Sequence, residues 1–367
     1  MTIKPFKPTR RQFLGTGAAA TALATTNIIS APAIASNKTV KFTLAWLAQG
    51  TSLYVYAAKG KGLFKKRGID VQISRGYGSL ASAQSIASGQ FDFGVVIAPP
   101  LILSIAKGLP LTAIATVDYD ATMGVGVLQD SPIRTAKDLV GKQVGGVPTS
   151  AEYPFFPAFL QRAGIAKADV PISHFDNQVL ERALTEKQVA AIMGVGSSSL
   201  PVMLSKGIKA RWLLYSSTGL RTYGQTIVTR PEIVQRDPQL CQAVSDALME
   251  GIALTMRDPQ EATDLLFKEV PEMALNSNGK QFIRVGLGIA HNTQVRPEAM
   301  QNGIGWGNPD VYREMIDLVA EYTGTPDMKK PSVEDVYSNR FVGNVKLSDA
   351  EWKAVETRSA EFGKLIG

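Results

Sequence analysis

The chain has 367 residues, with 39 Lys and Arg against 32 Asp and Glu, a formal net charge of +7, 45% apolar residues and 19% charged residues. That composition is globular and excludes a disordered or collagenous chain. No run of five basic residues occurs and no aromatics interleave a basic strip, so the surplus charge does not point to nucleic acid. The single cysteine, Cys241, excludes an intramolecular disulfide and lies in an apolar helical pattern, where it reads as a small core residue.

Thr9-Arg10-Arg11-Gln12-Phe13-Leu14 reads as a twin-arginine export signal. The mild apolar run 15–29 and the small residues Ala33-Ile34-Ala35 complete a leader with cleavage near Ala35. The run is diluted by Gly, Thr and Asn and falls short of the about 20 apolar residues a membrane span needs. Residues 1–35 carry Lys4, Lys7, Arg10 and Arg11 and no acid, so cleavage would lower the net charge from +7 to +3 (7 − 4). The expected location is the periplasm, reached through the twin-arginine machinery.

Past the leader, short apolar strand patterns alternate with helical segments. The expected strands are 41–46, 69–74, 93–97, 111–117, 124–128, 143–147, 171–175, 189–193 and 211–215. Between the first two, Leu53 begins an apolar helix that leads to Lys65-Lys66-Arg67-Gly68, where cations suit the helix dipole and Gly68 suits a left-handed cap. Gly76-Tyr77-Gly78-Ser79 turns the chain into a helix over 80–88. Such alternation predicts an α/β protein of mostly parallel sheets covered by helices on both faces. The segmentation predicts a first lobe over 37–117, a second over 128–222, crossings near 118–127 and 223–229, and a helical C-terminal region, 230–367, that completes the first lobe. Helix starts are legible there: Asp237-Pro238, Asn308-Pro309 and the capping box Ser348 with Glu351.

Three segments carry a family resemblance. Lys61-Gly62-Leu63-Phe64-Lys65-Lys66-Arg67-Gly68-Ile69-Asp70-Val71, then Ala87-Ser88-Gly89-Gln90-Phe91-Asp92-Phe93-Gly94, then Lys137-Asp138-Leu139-Val140-Gly141-Lys142-Gln143-Val144-Gly145 occur in order. In this the chain resembles the periplasmic solute-binding proteins of the nitrate, sulfonate and thiamine-precursor group. The resemblance covers roughly 40–230. It implies a two-lobed type II binding-protein fold with a small-molecule ligand in the cleft, no cofactor, and membrane subunits of an ATP-driven permease as partners. The same fold family includes a fungal pyrimidine synthase that uses a pyridoxal cofactor and a cysteine-rich motif, which a chain with one cysteine lacks.

In sheets of this kind ligands sit beyond the carboxyl ends of the strands, so the loops there supply the candidates. Trp46 closes the first expected strand, where the resembled group often sets an aromatic against a flat ligand. Tyr77, Gly78 and Ser79 form the next turn, whose helix-start N–H groups suit a carboxylate, sulfonate or carbonyl oxygen. Gly76-x-Gly78-x-x-Ala81 also matches a dinucleotide fingerprint, but Asp92 precedes the following strand instead of ending it. Asp118 and Tyr119 lie at the crossing, with Asp176 on the opposite lobe; acids there suit an amine, amidine or protonated ring nitrogen. Thr149, Ser150, Tyr153 and Gly194 complete the set. Neither His174 nor His291 has metal-ligand spacing, and no Gly-x-Ser-x-Gly elbow or Walker loop occurs. The expected function is capture of a flat aromatic or heteroaromatic, pyrimidine-like solute for import. Arg75 and Arg221 keep sulfonates, carboxylates and nitrate open as alternatives.

Overall fold

A computed structural model describes residues 37–325 and 328–366. The export signal and cleavage expected over 1–35 lie outside the described residues.

Among the described residues ten strands form two five-stranded sheets. They are β1 (Lys38–Thr43), β2 (Ile69–Ser74), β3 (Phe93–Ile97), β4 (Thr112–Thr116), β5 (Met123–Leu128), β6 (Val144–Gly146), β7 (Ile172–His174), β8 (Ala191–Val195), β9 (Ala210–Leu214) and β10 (Gln225–Thr229). The first sheet has the order β2-β1-β3-β10-β4 and the second β7-β6-β8-β5-β9. Four strands of each sheet run one way. The fifth, β10 in the first and β5 in the second, runs antiparallel to both neighbours. Each reversed strand is the first one after the chain changes sheets: it enters from the cleft end, so it runs away from the cleft while its neighbours run toward it.

The sheets are therefore mixed, and the strand expected over 124–128 forms as β5 of the second sheet although the first crossing was expected to run to 127, while 225–229, expected as the return crossing, are a strand of the first sheet. The two passages lie side by side, with Val117 N–H donating to Gln225 O at 2.7 Å, Gly224 N–H to Asp118 O at 2.8 Å and Ala121 N–H to Thr222 O at 3.0 Å.

β2 and β3 fall where the apolar pattern places them. β1 lies three residues earlier than expected. Its ladder with β2 runs from Lys38 opposite Ile69 to Thr43 opposite Ser74. Beyond it the Ala45 and Trp46 carbonyls accept from Gly78 and Gly76, so the backbone groups that would have extended the strand bind the next turn instead. The helix after β1 ends at Gly60, and a separate 3-10 turn, Lys65–Arg67, leads to Gly68 at φ 68°.

The C-terminal helix starts form as their residues require. Asp237 accepts from Leu240 N–H, Asn308 from Asp310 N–H, and Ser348 and Glu351 cap reciprocally. One helix, Gly279–Gln294, packs on both lobes. Its Gly286 meets the Gly50 turn, where a Cβ on Gly50 would fall 2.2 Å from Leu287 N. Its Val285 and Ile289 share a core with Leu200, Met203 and Trp212 of the second lobe and with Phe362 and Ile366 of the C-terminus. The C-terminal region thus covers more than the first lobe.

Candidate functional site

A cavity lies between the two sheets, beyond the ends of the strands that point at it. The space not occupied by protein atoms there is about 790 Å³, its mouth included, and both lobes line it. From the first lobe come the segment after β1 (Leu44 to Leu47, with Gln49, Thr51 and Ser52), Gly78 and Ser79. From the second come Val147, Ser150 to Glu152, Leu180, Glu181 and the turn from Gly194 to Ser199. The crossing passages add Asp118, Asp120, Gly224 and Gln225.

Of the residues expected from sequence, Trp46, Gly78, Ser79, Asp118, Ser150 and Gly194 line this cavity. Trp46 is half-buried on the stretch where β1 has ended. Ser79 is buried, and its hydroxyl accepts from Ile97 N–H at 3.2 Å, which braces the start of its helix against the end of β3.

The other five lie elsewhere. Tyr77 is 56% exposed on the outer face, with the Arg75 guanidinium 4.5 Å over its ring. Tyr119 is buried behind the crossing, donating to Trp306 O at 2.7 Å and meeting Tyr223 edge-on. Tyr153 bonds His174 Nε2 at 2.6 Å, fixing the end of β7. Asp176 is exposed on its loop. Thr149 stands at the rim and joins the lobes: its hydroxyl donates to Tyr77 O at 2.9 Å, and its carbonyl accepts from Leu80 N–H at 3.3 Å. Gly78 makes this contact sterically feasible. It has φ 115°, and a Cβ there would sit 2.2 Å from Thr149 O. The helix-start N–H proposed for a ligand oxygen is in part occupied by Thr149.

Three polar residues of the wall escape sequence reasoning. Gln49 is buried, and its Nε2 donates to Thr51 Oγ1 at 2.8 Å and, across the cleft, to Ser198 Oγ at 2.9 Å. Glu152 is fully buried and accepts from Ser150 Oγ at 2.7 Å. Glu181 is the third. Burial penalises the charged forms of the acids. It pushes Glu152 up to about 7 against the Ser150 hydrogen bond, and Asp118 up to about 7 against the Gln294 amide that donates to it at 3.0 Å. Asp120 and Glu181 rise for the same reason. Glu152 is the N-cap residue of the 3-10 turn Tyr153–Phe155.

Two α/β lobes of this topology, joined by paired crossings with a cavity between them, define the fold of the periplasmic binding proteins. The chain belongs to the NMT1/THI5 like family, whose model matches residues 49–262. It is 23% identical over 238 residues to the formylaminopyrimidine-binding protein of Halalkalibacterium halodurans, covering 64% of this chain and 72% of that one. It is 21% identical over 312 residues to the 4-amino-5-hydroxymethyl-2-methylpyrimidine phosphate synthase of Legionella pneumophila, covering 84% and 94%. A protein of Haemophilus influenzae named for thiamine biosynthesis matches at 26% identity over 167 residues, 46% of this chain and 52% of that protein, so the chain spans about half its length. Among solved structures, the alkanesulfonate-binding protein SsuA of Xanthomonas axonopodis pv. citri, bound to MOPS, superposes with a TM-score of 0.64 at 17% identity over 82% of this chain and 98% of that one.

Proposed function

We propose that the protein is an exported solute-binding component of an ABC importer that captures a flat heteroaromatic solute between its lobes and hands it to the permease. The observation that carries this reading is the cavity itself, closed by side chains of both lobes, with the Trp46 ring in its wall and Thr149 meeting Tyr77 at its rim. A ligand touching both lobes favours the closed form by the difference in its contacts, and closure about the two crossings is the signal a permease would read. The relative named for a formylaminopyrimidine supports a ring of that kind, and the Arg10-Arg11 leader supports export in the folded state.

The alternatives weigh less. Neither Arg75 nor Arg221 lines the cavity, so an anion would meet no cation of the wall. The synthase reading finds little support: no Lys lines the cavity, and Cys241 is buried in a distant helix with its thiol pushed up to about 12.

Thermal unfolding of residues 36–367 against pyrimidines, nucleobases, riboflavin, aromatic carboxylates, taurine and nitrate tests the proposal. Ligand at 100 times Kd adds about 2.7 kcal/mol, or roughly 5 °C for a chain of this size. A rise with ring compounds is the expected result. A rise with taurine or nitrate alone would replace the ring with an anion.

A further inference from the structure

The polar atoms of the cavity are unbalanced in one direction. Its wall carries four carboxyl side chains, Asp118, Asp120, Glu152 and Glu181, and no Lys, Arg or His. Two of the four have cations behind them: Arg296 and Arg221 act on Asp120, and Lys206 acts on Glu181. Asp118 and Glu152, 5% and 0% exposed, have no cation among the groups that act on them.

The unmet hydrogen-bonding capacity is of the same sign. Glu152 Oε1 and Gln49 Oε1 are buried acceptors without a partner. Ser150 binds the other Glu152 oxygen, and the Gln49 amide nitrogen is committed to Thr51 and Ser198. One of these acceptors belongs to each lobe. A buried acceptor without a donor destabilises the fold, and a buried carboxylate does so more strongly unless a charge or donors reach it.

We propose, building on the ring-capture reading above, that the cleft selects an organic cation with an N–H donor edge, an amidinium or a protonated amino-heterocycle, and turns away anions of the same shape. The donor edge spans Glu152 on one side and Gln49 on the other, so both acceptors are satisfied only when the lobes are closed. Asp118 adds a second uncompensated acid from the crossing, and Trp46 offers a ring face that also attracts a cation. The acids are spread around the wall instead of converging. Among the described residues no group of three or more His, Cys, Asp or Glu is placed to hold a metal ion, which favours an extended organic cation.

Tyr215 offers a different account of Glu152. Its hydroxyl is also buried and unpartnered, and lies near enough for the Glu152 charge to raise it. On that account the acid serves the tyrosine and not a solute.

Benzamidine, benzamide and benzoate share one ring and differ in charge, so titration calorimetry of the three against the signal-free protein separates shape from charge. The expected result is benzamidine at least tenfold tighter than benzamide, with benzoate not bound. E152Q should shrink the benzamidine-to-benzamide preference at least fivefold, while Y215F keeps it within twofold. Equal binding of all three overturns charge selection and leaves ring capture standing. Binding of benzoate alone, or of none of the three while taurine or nitrate binds, overturns both. A preference that collapses equally in Y215F assigns Glu152 to Tyr215 and overturns the proposal.

Discussion

The Glu152 carboxyl makes a prediction about stability that needs no ligand. In the unfolded chain it titrates at 4.5, and in the fold burial pushes it up to about 7. At about 1.4 kcal/mol per tenfold change in the equilibrium, holding it charged costs the fold about 3 kcal/mol. The sign follows from proton counting. Between 4.5 and about 7 the folded protein holds a proton on Glu152 that the unfolded chain has lost, so stability falls as pH rises through that window and levels off above it. Ser150, the Glu152 backbone N–H and Glu181 are the groups that act on this carboxyl, none of them positively charged, and its charge in turn raises the buried Tyr215 hydroxyl. Glu152→Gln removes the titration and keeps the shape. Urea unfolding of both proteins from about pH 4.5 to about pH 8 should give a variant that gains about 3 kcal/mol on the wild type across the range. Asp118 titrates in both proteins and cancels in the difference. Parallel stability curves, within about 0.5 kcal/mol, would refute the reasoning by showing that water or Tyr215 solvates the carboxylate in the folded state.

Other substitutions probe the remaining parts. Trp46→Ala should weaken a ring ligand tenfold or more, since stacking contributes about 0.5 to 1.5 kcal/mol beyond burial; calorimetry reads it, and unchanged affinity removes the stacking role. Gly78→Ala places a Cβ 2.2 Å from Thr149 O at φ 115°, so it should keep the lobes apart at the rim; X-ray scattering should then show a larger radius than the wild type at saturating ligand, and equal radii would dismiss the rim contact. Trp212 lies in a groove made by Gly124, Gly126, Gly194 and Gly196, and a Cβ at Gly126 would meet its ring at 2.2 Å. Trp212→Ala should cost about 3 to 5 kcal/mol in urea unfolding, whereas a loss under 1 kcal/mol would mean the site collapses around the cavity. Ser348→Ala breaks the capping box of the last helix and should cost about 1 kcal/mol by the same measurement.

Much of the fold is legible in local patterns, because a strand buried on both faces reads as an apolar run whatever surrounds it. Phe93 to Ile97 and Thr112 to Thr116 are such strands. The first strand is displaced because Leu44-Ala45-Trp46 continues the apolar pattern while its carbonyls serve a turn some thirty residues on. No local signal reports that competition. The reversal of β5 and β10 is equally silent, since direction within a sheet depends on where the chain comes from. At the site, the turns were legible and the directions of their side chains were not: Gly78 faces the cavity while its neighbour Tyr77 faces solvent. The sequence points to Asp176 as the acid opposite Asp118, yet the second-lobe acids that line the cavity are Glu152, at the start of a 3-10 turn, and Glu181, whose first-turn position gives an equally good surface explanation.

The helix Gly279–Gln294 bears on how the molecule comes apart. The second lobe is an insertion in the chain of the first, and this helix touches the Gly50 turn on one side and the Leu200 core on the other. A lobe cut out at its crossings would lose Val285 and Ile289 from its apolar cluster and expose Trp212 and Met203 to water. Neither half is therefore a free-standing folding unit. Denaturation should proceed in a single cooperative step, with Trp46 in one lobe and Trp212 in the other reporting the same transition.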